Sequence, residues 1–185
     1  MLAPRTIASL SAVLAVAAIA SGCSSTPGPA PGGSPSPPPT VSSTAQFSAG
    51  DFAWSQRTGA NIIAGKVAYR QGAVRYTCAG SAVVLTPETP WSTRRMAALY
   101  GSAERAALPA DEVRRRTPSA PAGDAGPYVK RTTCDEADQF AFGSLPDGAW
   151  YAITIARPVG APSAATVALM KRIVVRGGRT AALTL

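Results

Sequence analysis

Between residues 61 and 78 the side chains alternate. Ile63, Gly65, Val67 and Tyr69 fall on one side and Ala64, Lys66, Ala68 and Arg70 on the other; beyond Gln71-Gly72, Val74, Tyr76 and Cys78 alternate with Arg75 and Thr77. A period of two interrupted by a glycine turn predicts a β-hairpin with one buried face. Val83-Val84-Leu85 is a short apolar run followed by Pro87 and Pro90, which predicts a core strand bounded by breakers. From Trp91 the period lengthens. Met96, Leu99 and Tyr100 stand at helical spacing, Ser92 is a suitable N-cap and Gly101 a suitable stop, so a helix is expected over 93–100. A shorter helix is expected over 110–116, where Pro109 suits a first position and Asp111 and Glu112 favour the first turn. With the Pro/Gly/Ala loop at 117–127, residues 91–127 read as one long excursion between strands.

Strand character returns over 128–134 and 139–145, where Phe140 and Phe142 share a face. Pro146-Asp147-Gly148 is a turn by residue type, followed by a strand over 150–156 with Tyr151, Ile153 and Ile155 on one side. The segments 172–176 and 179–185 flank Gly177-Gly178, a two-residue hairpin signal. Seven or eight short strands of this kind, within residues 45–185, predict one mainly β domain built as a β-sandwich.

The N-terminal pattern is different. After Arg5, residues 7–20 carry no charge, an apolar stretch of secretory length and shorter than the roughly 20 residues of a stable span. It ends in Ala20-Ser21-Gly22-Cys23, which resembles the bacterial lipobox. That resemblance implies removal of residues 1–22, acylation of Cys23 and export to the cell envelope with the acyl chains as a membrane anchor. Ser24 at the next position implies sorting to the outer membrane, facing the periplasm, in a bacterium that has two membranes. Residues 24–44 are Pro, Gly, Ser and Thr except for Ala30 and Val41. Such a segment cannot bury apolar surface, so residues 23–44 are expected to form a lipid anchor and a disordered Pro-rich stalk reaching up to about 65 Å.

Within the β region four pieces carry a second resemblance: Ile63-Ala64-Gly65-Lys66-Val67, Val83-Val84-Leu85-Thr86-Pro87, the block from Phe140-Ala141-Phe142 through Leu145-Pro146-Asp147-Gly148, and Gly177-Gly178 before Ala181-Ala182-Leu183. They resemble the carboxypeptidase regulatory-like, or transthyretin-like (prealbumin-like), β-sandwich domains. The resemblance implies a transthyretin-like sandwich of about seven strands, here with a short helical insertion at 91–127. It implies no activity, since those domains carry no catalytic residues. Asp138 stands where the family pattern has glycine.

Composition narrows the chemistry. The chain of 185 residues has no histidine, which excludes Ser-His-Asp and Cys-His catalysis and histidine metal sites. No G-x-S-x-G, S-x-x-K, P-loop or G-x-G-x-x-G motif is present, and nothing implies a cofactor or a metal. With Cys23 acylated, Cys78 and Cys134 remain as an even pair in an oxidising compartment, and a disulfide between them is expected. A reactive thiol is the alternative. Asp135, Glu136 and Asp138 form the acidic cluster, readable as calcium ligands or as the turn between two strands, and the turn is the expectation. Formal net charge is +8, and Arg114, Arg115 and Arg116 with Arg94, Arg95 and Arg105 concentrate positive charge in the insertion. These arginines are candidates for binding an anionic envelope polymer or lipid, against the plainer reading of a solvated face. Export excludes nucleic acid as the partner. The sequence therefore predicts a non-catalytic envelope lipoprotein that displays an interaction or structural module for an envelope partner, with anionic-polymer binding through 91–127 as the alternative.

Overall fold

The structure is a computed structural model and describes residues 46–161 and 163–185. Cys23, the signal segment and the Pro-rich stalk lie outside the described residues.

The described residues form ten strands in two sheets, with two short α-helices and three 3-10 helices. The strands are β1 (Asn61–Lys66), β2 (Arg70–Gln71), β3 (Val74–Thr77), β4 (Ala82–Pro87), β5 (Arg105–Pro109), β6 (Lys130–Thr133), β7 (Gln139–Leu145), β8 (Gly148–Pro158), β9 (Val167–Val175) and β10 (Thr180–Thr184). The helices are α1 (Pro90–Tyr100) and α2 (Ala110–Arg116). The smaller sheet has the order β10-β1-β7, β1 running parallel to β10 and antiparallel to β7. The larger sheet is built around β8, with β4 and then β6 on one side and β9 and then β5 on the other; the β2-β3 hairpin joins the end of β8.

Ile63, Phe140, Phe142, Leu145 and Leu183 from the smaller sheet meet Val83, Leu85, Trp150, Leu169 and Val175 from the larger one in the main core. On the far side of the larger sheet, Met96, Leu99 and Tyr100 of α1 pack on Tyr151, Ala168 and Met170. The central strand β8 is therefore covered on both faces. That explains why Trp150, Tyr151 and Ala152 in succession are fully buried. The strand side expected to be apolar, Tyr151, Ile153 and Ile155, faces the helices, and Ile155 beyond their reach is 40% exposed.

Four expectations are corrected. Residues 61–66 and 74–77 do not pair: β1 lies in the smaller sheet, and only Arg70-Gln71 returns to pair with β3 through the predicted turn. Gly177 and Gly178 both adopt left-handed φ, 68° and 69°, as a tight turn requires, but they carry the chain from β9 in one sheet to β10 in the other. A turn dictates a reversal; it does not dictate which strand the returning segment finds. Helix α1 begins earlier than expected because Thr89, not Ser92, is the N-cap: Ser92 N donates to Thr89 Oγ1 (3.1 Å), Thr89 N donates to Ser92 Oγ (2.8 Å), and Pro90 occupies the first turn. The stop at Gly101 (φ 72°) and the bounds of α2 are as predicted. Finally, residues 91–127 are not wholly an excursion, since β5 between the helices adds an edge strand to the larger sheet beside β9.

Candidate functional site

The two sheets are unequal, and the smaller one stops before it covers β5 and the outer part of β9. Along β9, Val167, Leu169, Lys171, Ile173 and Val175 point to one side; Leu169 and Val175 lie in the main core, whereas Ala168 and Met170 lie under the helices. Arg105 and Ala107 of β5 stand opposite Lys171 and Leu169 and share their face. The uncovered step is a groove of about 360 Å³, floored by Ala107 and Leu169, flanked by Arg105 and Lys171, and walled by Tyr69 and the Thr184-Leu185 end of β10. Lys171 Nζ donates to the Thr184 carbonyl (3.1 Å).

Tyr69 is the ridge between this groove and a second one of about 300 Å³, lined by Lys66, Arg70, Arg75, Tyr76 and Asp138. The Tyr69 ring is seated edge-on against Tyr76, centroids 5.2 Å apart. Five cationic side chains thus surround one half-buried tyrosine. Only Arg75 takes a carboxylate partner among the described residues, Asp138 at 2.9 Å.

Asp138 is buried and adopts φ 62°, a left-handed backbone that glycine takes freely and aspartate tolerates. Its carboxylate accepts from the Thr77 hydroxyl, from Cys78 N (2.8 Å) and from Arg75, tying the β6–β7 turn to the end of β3. Burial alone would raise its pKa, but the Thr77 and Cys78 donors and the Arg75 charge together hold it below the usual aspartate value. A carboxylate depressed in the folded state contributes stability above the ordinary aspartate value, and that contribution is lost as pH falls through the folded value. Asp147, which accepts from Asn61 Nδ2 (2.8 Å) and Gly177 N (3.0 Å), is depressed in the same sense. Urea unfolding between about pH 2 and 6 is therefore expected to show stability falling below about pH 4, with a shallower fall in Asp138→Asn, which is already weaker at pH 7. An unchanged pH profile in that variant would contradict this role.

The other predicted residues fall elsewhere. Cys78 and Cys134 are buried at the ends of β3 and β6 and stand at disulfide distance, with Cα atoms 5.7 Å apart. Asp135 Oδ1 accepts from Ala137 N (2.9 Å) and Gln139 N (2.7 Å), which is turn geometry, and Glu136 is exposed beside it. In α2, Arg114 pairs with Asp111 (2.6 Å), Arg116 pairs with Glu112 and donates to the Leu99 carbonyl (3.2 Å), and Arg115 is exposed. Arg95 donates to the Pro121 carbonyl (2.6 Å) and lies over the Trp91 ring. Of the insertion's arginines, Arg105 is the one that lines the groove.

Tyr69 and Lys171 were not singled out by the sequence, although one signal was there. A single lysine interrupts the otherwise apolar alternate face Val167, Leu169, Ile173, Val175.

No family model matches the chain, and no curated protein matches it. Among solved structures, the chain is similar to a crystal structure from Pseudomonas aeruginosa described as "a putative carbohydrate binding protein". The two are 22% identical, the match covers 75% of this chain and 97% of that one, and the TM-score is 0.54. At that identity the likeness is one of fold.

Proposed function

We propose that this chain is a non-catalytic envelope lipoprotein whose transthyretin-like β-sandwich domain binds a glycan at the Tyr69 ridge. The observation that carries the reading is the uncovered step itself: an aromatic ring, an apolar floor and hydrogen-bonding side chains in two adjoining grooves. A sugar ring has an apolar face and a polar edge, which suits a surface of this kind. No acidic side chain lines the first groove, and Asp138 in the second is engaged by its donors, so neither offers a general acid–base pair. The carbohydrate binding ascribed to the Pseudomonas aeruginosa protein points the same way. Anion binding through Arg114, Arg115 and Arg116 is the weaker alternative, because Asp111 and Glu112 already occupy two of the three guanidinium groups.

Binding of envelope oligosaccharides to the full chain, followed by calorimetry, tests the site. Tyr69→Leu keeps much of the packing and removes the aromatic ring and hydroxyl, and is expected to weaken binding about three- to tenfold. Unchanged affinity in a folded variant would place the site elsewhere. For the anchor, acyl labelling of the wild type and its absence in Cys23→Ser are expected; labelling that survives the substitution would refute lipidation at Cys23.

A further inference from the structure

We propose that Arg105 and Lys171 form an anion clamp, so that the ligand is an acidic glycan with a negatively charged substituent on its sugar units. This rests on the glycan reading above and goes beyond it by naming the substrate class. The two residues are direct cross-strand partners in the β5-β9 ladder and share one face of it. Like charges placed directly opposite one another destabilise a sheet. Elsewhere on the same strand the charge is balanced: Arg172, on the helix-facing side, is gripped by both oxygens of Glu88 (2.7 and 2.8 Å) and also feels Glu104. Arg105 and Lys171 have no carboxylate partner among the described residues, and no acidic side chain lines their groove. No carboxylate of the described residues stands within ion-pair distance of either group, Lys171 Nζ donating only to the Thr184 carbonyl, and an anion between the two would relieve the repulsion.

The groove has the volume of a small-ligand site, and its apolar floor at Ala107 and Leu169 continues directly from the charged pair. A free inorganic anion would leave that floor and the Tyr69 ring unused, whereas a charged sugar engages both. Across Tyr69, Lys66 and Arg70 line the second groove and also lack carboxylate partners among the described residues. Two cationic sites separated by one aromatic ridge suit a polymer carrying charge on successive units. Carboxylate and phosphate substituents share this chemistry, and the Arg105 fork accepts either.

The test uses the full chain with three probes: oligogalacturonate, a phosphorylated oligosaccharide, and a neutral dextran oligosaccharide of matched length. At least one acidic probe is expected to bind more tightly than dextran, with affinity falling as salt rises. Arg105→Gln combined with Lys171→Gln is expected to weaken acidic-probe binding about tenfold and to flatten its salt dependence. Its thermal midpoint should be unchanged or raised, because the unfavourable pair is gone. Arg131→Gln, on the opposite edge strand β6, is the surface-charge control and should bind as wild type. Preference for one acidic probe over the other supports the clamp and assigns its substituent. Equal binding of dextran and acidic probes, untouched by the double substitution, overturns the clamp while leaving glycan binding standing. Failure of the folded wild type to bind any of the three overturns both.

Discussion

Replacing both Cys78 and Cys134 by alanine is expected to lower unfolding stability by about 4 kcal/mol, the largest effect of any change proposed for this protein. The two cysteines are 56 residues apart, and the loop they close contains α1, β5 and α2. A cross-link across that loop removes many conformations from the unfolded chain, which is the source of the figure. It is a large share of the roughly 5–15 kcal/mol that holds a typical domain together. The position adds to the effect: Cys134 N donates to the Ser81 carbonyl (2.9 Å) and Gly80 N to the Cys134 carbonyl (2.9 Å), so the bond would fasten edge strand β6 to the β3–β4 turn at a buried point. Denaturant unfolding with and without reductant checks it. Reduction should destabilise the wild type by a similar amount and leave the double-alanine variant unmoved. Two thiols reacting freely in the unreduced native protein would show that the bond does not form.

Gly65→Ala is the second large expectation. Gly65 and Phe140 are cross-strand partners in β1 and β7, and the phenyl ring lies across the glycine. A Cβ at residue 65 would stand 2.1 Å from the ring, so either the ring leaves its place in the core or β1 moves away from β7. Overpacking of this kind costs about 1–3 kcal/mol, and more where the neighbours cannot yield. Here they yield poorly, because the ring also packs against Phe142, 6.2 Å between centroids, in the core between the sheets. Phe140→Leu in the Gly65→Ala background should recover part of the loss. The two changes would then be strongly non-additive in thermal or urea unfolding. Simple additivity would mean that the ring does not claim the space over Gly65.

The same pair shows what could be read before the fold was known. The alternation around Ile63-Ala64-Gly65-Lys66-Val67 marks a half-buried strand, but nothing local says that its partners are residues 139–145 and 180–184. Hairpins were expected at Gln71-Gly72 and Gly177-Gly178. The first forms over only two residue pairs, and the second turn connects the two sheets. The run Arg114-Arg115-Arg116 looks like a binding patch in one dimension. On the helix, residues three and four apart are neighbours, so Asp111 and Glu112 reach Arg114 and Arg116.

From the sequence alone came the features set by local physics: the strand segments other than β5 and the first half of β9, which was expected only from residue 172; α2 and the stop of α1 from cap and dipole chemistry; and the Asp135 turn from side-chain hydrogen bonding. The exclusion of histidine chemistry needed only the composition. The tertiary structure decided which strands pair, that the insertion supplies a sheet edge, and that Tyr69, Arg105 and Lys171 share one surface. Those depend on contacts between residues up to 118 positions apart, whose partners are chosen by burial of the whole core rather than by neighbouring residues. Apart from the lone lysine on the apolar face of β9, the groove has no signature in any single segment, because it exists only where the smaller sheet ends above the larger one.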